Sequence, residues 1–150
     1  AVEEREPVAF LATPTLVPVD RSGRILPIDP TRHQLDLPLL GAREGLAIAD
    51  LSLAERTLLV EEVARISDAN PGLASQLSEI VVEGPGHLRA QVWDPQVDLL
   101  LRPGTAGPRL EKGLDVLGDA LARFGAEGVV ALDLRFEDQV VVRLRRPAGS

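Results

Sequence analysis

A leucine stripe near the C-terminus limits what this chain can build. Leu110, Leu114, Leu117, Leu121 and Phe124 recur at steps of four, three, four and three, which puts them on one face of an α-helix. Such a helix persists in water only where that face is covered, so a sheet or another helix must lie against it. Gly125 follows directly and suits the left-handed residue that ends a helix. A second helix is predicted from Ser52-Leu53-Ala54-Glu55, a capping box in which the Ser hydroxyl and the Glu carboxylate each accept a free backbone N–H. Leu59, Val63 and Ile66 continue it to Asn70-Pro71-Gly72, with Glu61, Glu62 and Arg65 expected on the solvated side.

The remaining apolar runs are short and separated by turn residues, the pattern of strands. Residues 8–11 and 16–19 are followed by Asp20-Arg21-Ser22-Gly23 and a further run at 25–28, which reads as a hairpin. Prolines at 27, 30 and 38 predict extended loop from 29 to 45, with little ladder pairing. Runs at 78–82, 88–93 and 97–101, separated by Gly84-Pro85-Gly86 and Asp94-Pro95, predict an antiparallel meander. Runs at 129–134 and 140–144 flank Glu137-Asp138 and close the chain. The order of hairpin, helix, three strands, helix and two strands predicts an α+β fold, a largely antiparallel sheet with two main helices packed on it.

Composition narrows the function. At 150 residues, 45% apolar and 26% charged, the chain has the makeup of one folded domain over 1–150, with neither internal repeat nor low-complexity segment. A net charge of -7, one Trp, three Phe and no Tyr oppose nucleic-acid binding, which needs cations for phosphate and rings for bases. The absence of cysteine excludes disulfides, thiol catalysis and thiolate metal sites. The sequence contains neither an apolar run of about 18 residues nor a basic-then-apolar leader. Because it starts with Ala and has no Met, it reads as an excised or processed segment, and anything that anchored it is expected upstream.

Three stretches together resemble the extracytoplasmic β-domain of the bacterial cell-division family FtsQ/DivIB. Glu4-Arg5-Glu6-Pro7-Val8-Ala9 looks like the family's opening "ER-x-PVA", and Val19-Asp20-Arg21-Ser22-Gly23 like its "VD-x-x-G" hairpin. Leu37-Pro38-Leu39-Leu40-Gly41 is similar to its "LP-x-L-x-G" segment. Leu132-Asp133-Leu134-Arg135-Phe136, leading into Gln139-Val140-Val141-Val142-Arg143, resembles its closing "DLR-aromatic" and terminal strands. The resemblance implies FtsQ/DivIB β-domain architecture, with residues 1–12 as the last strand of an otherwise absent POTRA domain and a transmembrane helix further upstream. It implies a scaffold at the division septum, on the outer, periplasmic face of the cytoplasmic membrane, that gathers FtsB/DivIC and FtsL and regulates septal peptidoglycan synthesis. By motif match the partner-binding positions are Arg135, Phe136, Asp138, Gln139, Val140, Val142 and Arg143. Phe136 stands where enterobacterial members have Tyr, and Gln139 and Arg143 replace small residues there.

The physical basis of that recognition is strand addition, because an edge strand offers unpaired N–H and C=O groups to another chain. In 140–144, Val140, Val142 and Leu144 share one face, and Val141 and Arg143 the other. A few backbone bonds at about 1 kcal/mol each and two Val side chains at roughly 1.5–3 kcal/mol each must exceed an association cost of about 4–15 kcal/mol. A second contact is therefore expected, a partner helix or acidic stretch meeting Arg135, Arg143 or Arg145, with co-tethering in one membrane. The competing reading is that the valines pack the sheet and the arginines guard its edge against aggregation.

Other chemistry has little support. His33 and His87, the only histidines, lack ligand spacing, so no metal or cofactor is expected. Gly84-Pro85-Gly86 lacks the Lys and the helix of a phosphate loop. Asp94 and Asp98 have no reason to converge as an acid–base pair, and no Ser lies in a Gly-x-Ser-x-Gly setting. Trp93 is expected as a core or sheet-packing residue, with a ligand-stacking role the minor reading. The chain therefore reads as a binding module and not as an enzyme. The alternatives are a cell-wall glycan-binding or remnant hydrolase domain, which would need convergent carboxylates and aromatics, and an outer-membrane assembly module with repeated POTRA units.

Overall fold

A computed structural model describes residues 7–12, 16–26, 37–42, 46–93, 95–104 and 108–145. Eight strands form one sheet: β1 (Pro7–Ala12), β2 (Leu16–Asp20), β3 (Leu39–Gly41), β4 (Leu77–Gly84), β5 (His87–Val92), β6 (Val97–Leu101), β7 (Val129–Asp133) and β8 (Val141–Leu144). Two long helices, α1 (Leu53–Ala69) and α3 (Pro108–Phe124), and the single turn α2 (Pro71–Ala74) complete the α+β fold. The spatial order is β2-β1-β3-β4-β5-β6-β7-β8. Four of the seven neighbouring pairs are antiparallel; β1–β3, β3–β4 and β6–β7 are parallel.

Both long helices cover the same face of the sheet. Leu59, Val60, Val63 and Ile66 from α1 and Leu110, Leu117 and Ala120 from α3 share one core with Leu88, Ala90, Val92, Val97, Leu99, Leu101, Leu132 and Leu134. Strands β5 and β6 alternate buried with half-buried residues, as a sheet covered on one side requires. A fully buried Leu contributes roughly 1.5–3 kcal/mol, so this core is the main stabilising term.

The N-cap of α1 forms as the sequence predicts on its serine side: Ser52 Oγ accepts from the Glu55 N–H at 3.1 Å. The return bond from the glutamate is not made, and Glu55 Oε2 is buried with no hydrogen-bond partner among the described residues. Helix α1 stops at Ala69, where Asn70 caps the next turn by accepting from the Leu73 N–H at 3.0 Å. Gly125, at φ +80, ends α3 with its N–H on Leu121 O at 2.8 Å.

Four expectations are corrected. The stretch 29–45 is not all loop: Leu39–Gly41 is a strand in the sheet interior, paired in parallel with β1 and β4. Glu62 is buried, not solvated, because the segment after β6 crosses α1 and Glu62 Oε2 accepts the Gly104 N–H at 2.9 Å beside Arg65 at 3.0 Å. The α3 stripe is core as far as Leu121, but Phe124 is 48% exposed, its ring 5.8 Å from the Arg123 guanidinium. Trp93 is not a core residue; it follows the last residue of β5 and is 52% exposed. Of the run at 25–28, Ile25 makes one bridge to Val19, and 27–28 lie outside the described residues, as do Glu4-Arg5-Glu6, His33 and Asp94.

The Asp20-Arg21-Ser22-Gly23 turn forms and is seated on α1. The Asp20 carboxylate accepts from the Ser22 and Arg24 N–H groups, and the Thr57 and Arg56 side chains donate to Ser22 O and Gly23 O, both at 3.0 Å. Gly23 sits at φ +83, and a Cβ there would lie 2.9 Å from the Thr57 backbone nitrogen. Gly23→Ala therefore strains the turn and presses on the helix at once, and should lower the unfolding free energy by about 1–3 kcal/mol, measured by urea denaturation.

Candidate functional site

The two edges of the sheet differ. Outside β2 the chain folds back on itself: the Asp20 N–H donates to Arg24 O and the Leu26 N–H to Pro18 O, both at 2.9 Å, so the hairpin covers that flank. Strand β8 pairs with β7 alone, and no described residue lies along its outer side as a backbone partner. The Arg145 N–H donates to Gly128 O at 2.8 Å, so by strand alternation the amides of Val141 and Arg143 also face β7. The other side agrees. The Leu134 N–H donates to Leu100 O in β6 at 2.9 Å, which turns Ala131 and Asp133 toward their partners Arg143 and Val141. The N–H and C=O of Val142 and Leu144 therefore point away from the sheet.

The side chains divide as the sequence alternation predicts. Val140 and Val142 pack on the core beneath α3, and Leu144, on the same face, is exposed. On the other face Asp133 is fully buried under two arginines. Arg135 donates through Nε to Oδ1 at 2.9 Å and through Nη2 to Oδ2 at 2.7 Å, and Arg143 reaches Oδ2 at 3.2 Å. The Arg135 N–H also donates to Oδ1, at 3.1 Å, which curls the chain and ends β7 at Asp133. Arg135 and Phe136 therefore lie in the bend after the strand, not within it, and Val140 immediately precedes β8. Phe136, Asp138 and Gln139 are exposed.

Burial alone would raise the Asp133 carboxyl, but the hydrogen bonds from the Arg135 side chain and backbone and from Arg143 outweigh it and hold the pKa at about 2, against an ordinary 3.8. The same contact raises Arg135 above its usual value. These arginines are thus partly engaged within the chain: Arg135 is clamped, whereas Arg143 shares an oxygen and keeps its side chain 54% exposed.

The bend is also anchored from the far side. Arg109, in the first turn of α3, donates through Nη1 to Glu137 O and through Nη2 to Gln139 O, the latter at 3.2 Å. A cavity of about 240 Å³ lies here, lined by Arg109, Lys112, Glu137, Asp138, Gln139 and Val140. Of the seven partner positions read from sequence, the structure brings Arg135 and Arg143 together on Asp133 and puts Gln139 and Val140 beside Arg109. Phe136 and Asp138 stand on the bend. Sequence reasoning missed Asp133 and Arg109 as organisers; an acid set between Leu132 and Leu134 was the available signal for the first.

The other candidates stay apart from this site. Gly84-Pro85-Gly86 is the β4–β5 turn, with Gly86 at φ +71. Asp98 lies 3.9 Å from Arg89 on the uncovered face, and Arg89 bonds Glu83 at 2.6 Å. A second cavity of about 320 Å³ runs between Val8, Pro38 and α1, with Arg21 3.7 Å from Asp68 at its rim. No group of acids and histidines among the described residues is placed to hold a metal ion. No described helix is long and apolar enough to cross a membrane. A scan against protein-family models and a search of curated proteins each found no match to this chain.

Because the folded pKa of Asp133 lies below its unfolded value, its contribution is complete above about pH 4 and is lost as pH falls toward 2. The difference corresponds to about 2 kcal/mol. Urea unfolding from pH 6 to pH 2 should therefore show a fall in stability that Asp133→Asn lacks. Arg109→Ala should speed hydrogen exchange at the Val141 and Arg143 amides, leaving Ile80 and Leu99 in the central sheet protected.

Proposed function

We propose that this chain is a binding module, not an enzyme, and that it recognises a segment of another protein by strand addition at β8. The observation that carries the reading is the outer flank of β8, where Val142 and Leu144 direct backbone groups away from the sheet with no partner among the described residues. Its geometry suits the role: Asp133 and Arg109 hold the strand and its bend from opposite faces, so an incoming chain meets a fixed template.

Taken with the resemblance of the hairpin, Leu-Pro and closing motifs to the FtsQ/DivIB β-domain, the proposed role is that of a division scaffold. It would sit at the septum on the outer face of the cytoplasmic membrane, tethered by an upstream segment, and gather FtsB/DivIC- and FtsL-like bitopic proteins to regulate septal peptidoglycan synthesis. The contact set is Arg135, Phe136, Asp138, Gln139, Val140, Val142 and Arg143, with Leu144 added for its outward backbone and exposed side chain. No cofactor or small-molecule substrate takes part in this reading.

The test is titration of an FtsB/DivIC extracytoplasmic segment against wild type, Val142→Pro and Phe136→Ala by calorimetry. Proline at 142 removes an outward donor without touching a bond to β7, so it should weaken binding at least tenfold while circular dichroism stays native. Phe136→Ala should weaken it severalfold. Unchanged affinity in Val142→Pro would exclude β8 as the docking strand.

A further inference from the structure

The open edge is two-faced, and its charges do not balance. On the α3 side Val140, Val142 and Leu144 form an apolar stripe, half-buried at the two valines and exposed at Leu144. It leads toward the exposed Phe124: a Cβ on Gly128 would lie 3.0 Å from Phe124 Cβ, and Gly128 O takes the Arg145 N–H. On the other face one carboxylate, Asp133, serves two guanidinium groups. Arg135 holds it through two nitrogens at 2.7 and 2.9 Å, so the surplus positive charge belongs to the more distant and more exposed Arg143.

Resting on the strand-addition reading, we infer that Arg143 selects the partner: the added strand alternates apolar side chains toward α3 with carboxylates toward Arg143. The backbone geometry strengthens this choice. The Arg143 amide faces β7, so in an antiparallel addition Arg143 occupies a non-hydrogen-bonded position on its outer side, where cross-strand side chains approach most closely. The same charge opposes pairing of two copies centred on residue 143 or 144, which would set Arg143 against Arg143 or Arg145 of the second copy.

The inference is tested with three short peptides that alternate valine with glutamate, lysine or threonine, titrated at low salt by NMR against the full chain. Wild type should bind the glutamate peptide about fivefold or more tightly than the lysine peptide, with shifts centred on 140–144, and the preference should fade at high salt. The net charge of -7 favours the lysine peptide without regard to site, so glutamate preference is a demanding outcome. Arg143→Thr should equalise the three peptides, and Arg143→Glu should invert the order. Arg143→Thr keeps the test decisive if the carboxylate beside Asp133 prevents Arg143→Glu from folding. Equal affinities in wild type, or a preference that survives Arg143→Thr, would overturn the inference; if Val142→Pro still abolishes binding, strand addition itself stands. Failure of all three peptides to bind would overturn it too, and the edge reading then rests on the partner-segment titration alone.

Discussion

Covering one face of the sheet with both long helices divides every strand from β4 to β8 between two environments, and the rest of the structure follows from that division. The covered side takes Leu, Val and Ala at alternate positions; the other side collects the ions. On that second face the pairs Arg89–Glu83 and Arg135–Asp133 form, where solvent lowers the cost of holding charge. Asp133 is the exception, a carboxylate with no exposed surface, and it is tolerated because two guanidinium groups and a backbone amide satisfy it. It is also where β7 stops, so one residue both ends a strand and ties down its neighbour.

Much of this was legible in the sequence. The α3 stripe, the serine cap of α1, the run at 97–101 and the Asp20–Gly23 turn each carry a local signal strong enough to place them. What escaped depends on approach from a distance. Three residues of β3 have too short a period to register, and backbone bonding from both sides holds them in place. Glu62 carries no mark of the Gly104 amide that reaches it from across the fold. Phe124 keeps the helical spacing but exceeds the width of the core beneath it. At the candidate site the alternation of Val140, Val142 and Leu144 against Val141 and Arg143 was readable from their spacing. The Asp133 cluster and the Arg109 anchor were not, because each joins elements whose juxtaposition is a property of the folded chain.

The two edges of the sheet differ in how their backbone is covered. The β2 flank is covered from Pro18 to Asp20 by the returning segment 24–26 of the same chain. The β8 flank has no backbone partner among the described residues and carries Arg143, which shares the Asp133 carboxylate with Arg135. Charge on an edge ordinarily discourages unwanted pairing; placed opposite a complementary residue, it can also discriminate. A guarding role and the proposed recognition role would therefore be compatible, differing only in what approaches.

Strand order across the sheet follows the order of the chain, apart from the exchange of β1 and β2. From β3 onward each new strand is laid beside the one made just before it, with α1 and α3 inserted where successive strands run parallel and the chain must cross back to the same end of the sheet. A sheet assembled this way can lengthen progressively during synthesis, each addition using the preceding strand as its template. Among the described residues the outermost row on the growing side is β8, the strand made last, and a strand supplied by a different polypeptide would extend the same growth with a template of the same kind.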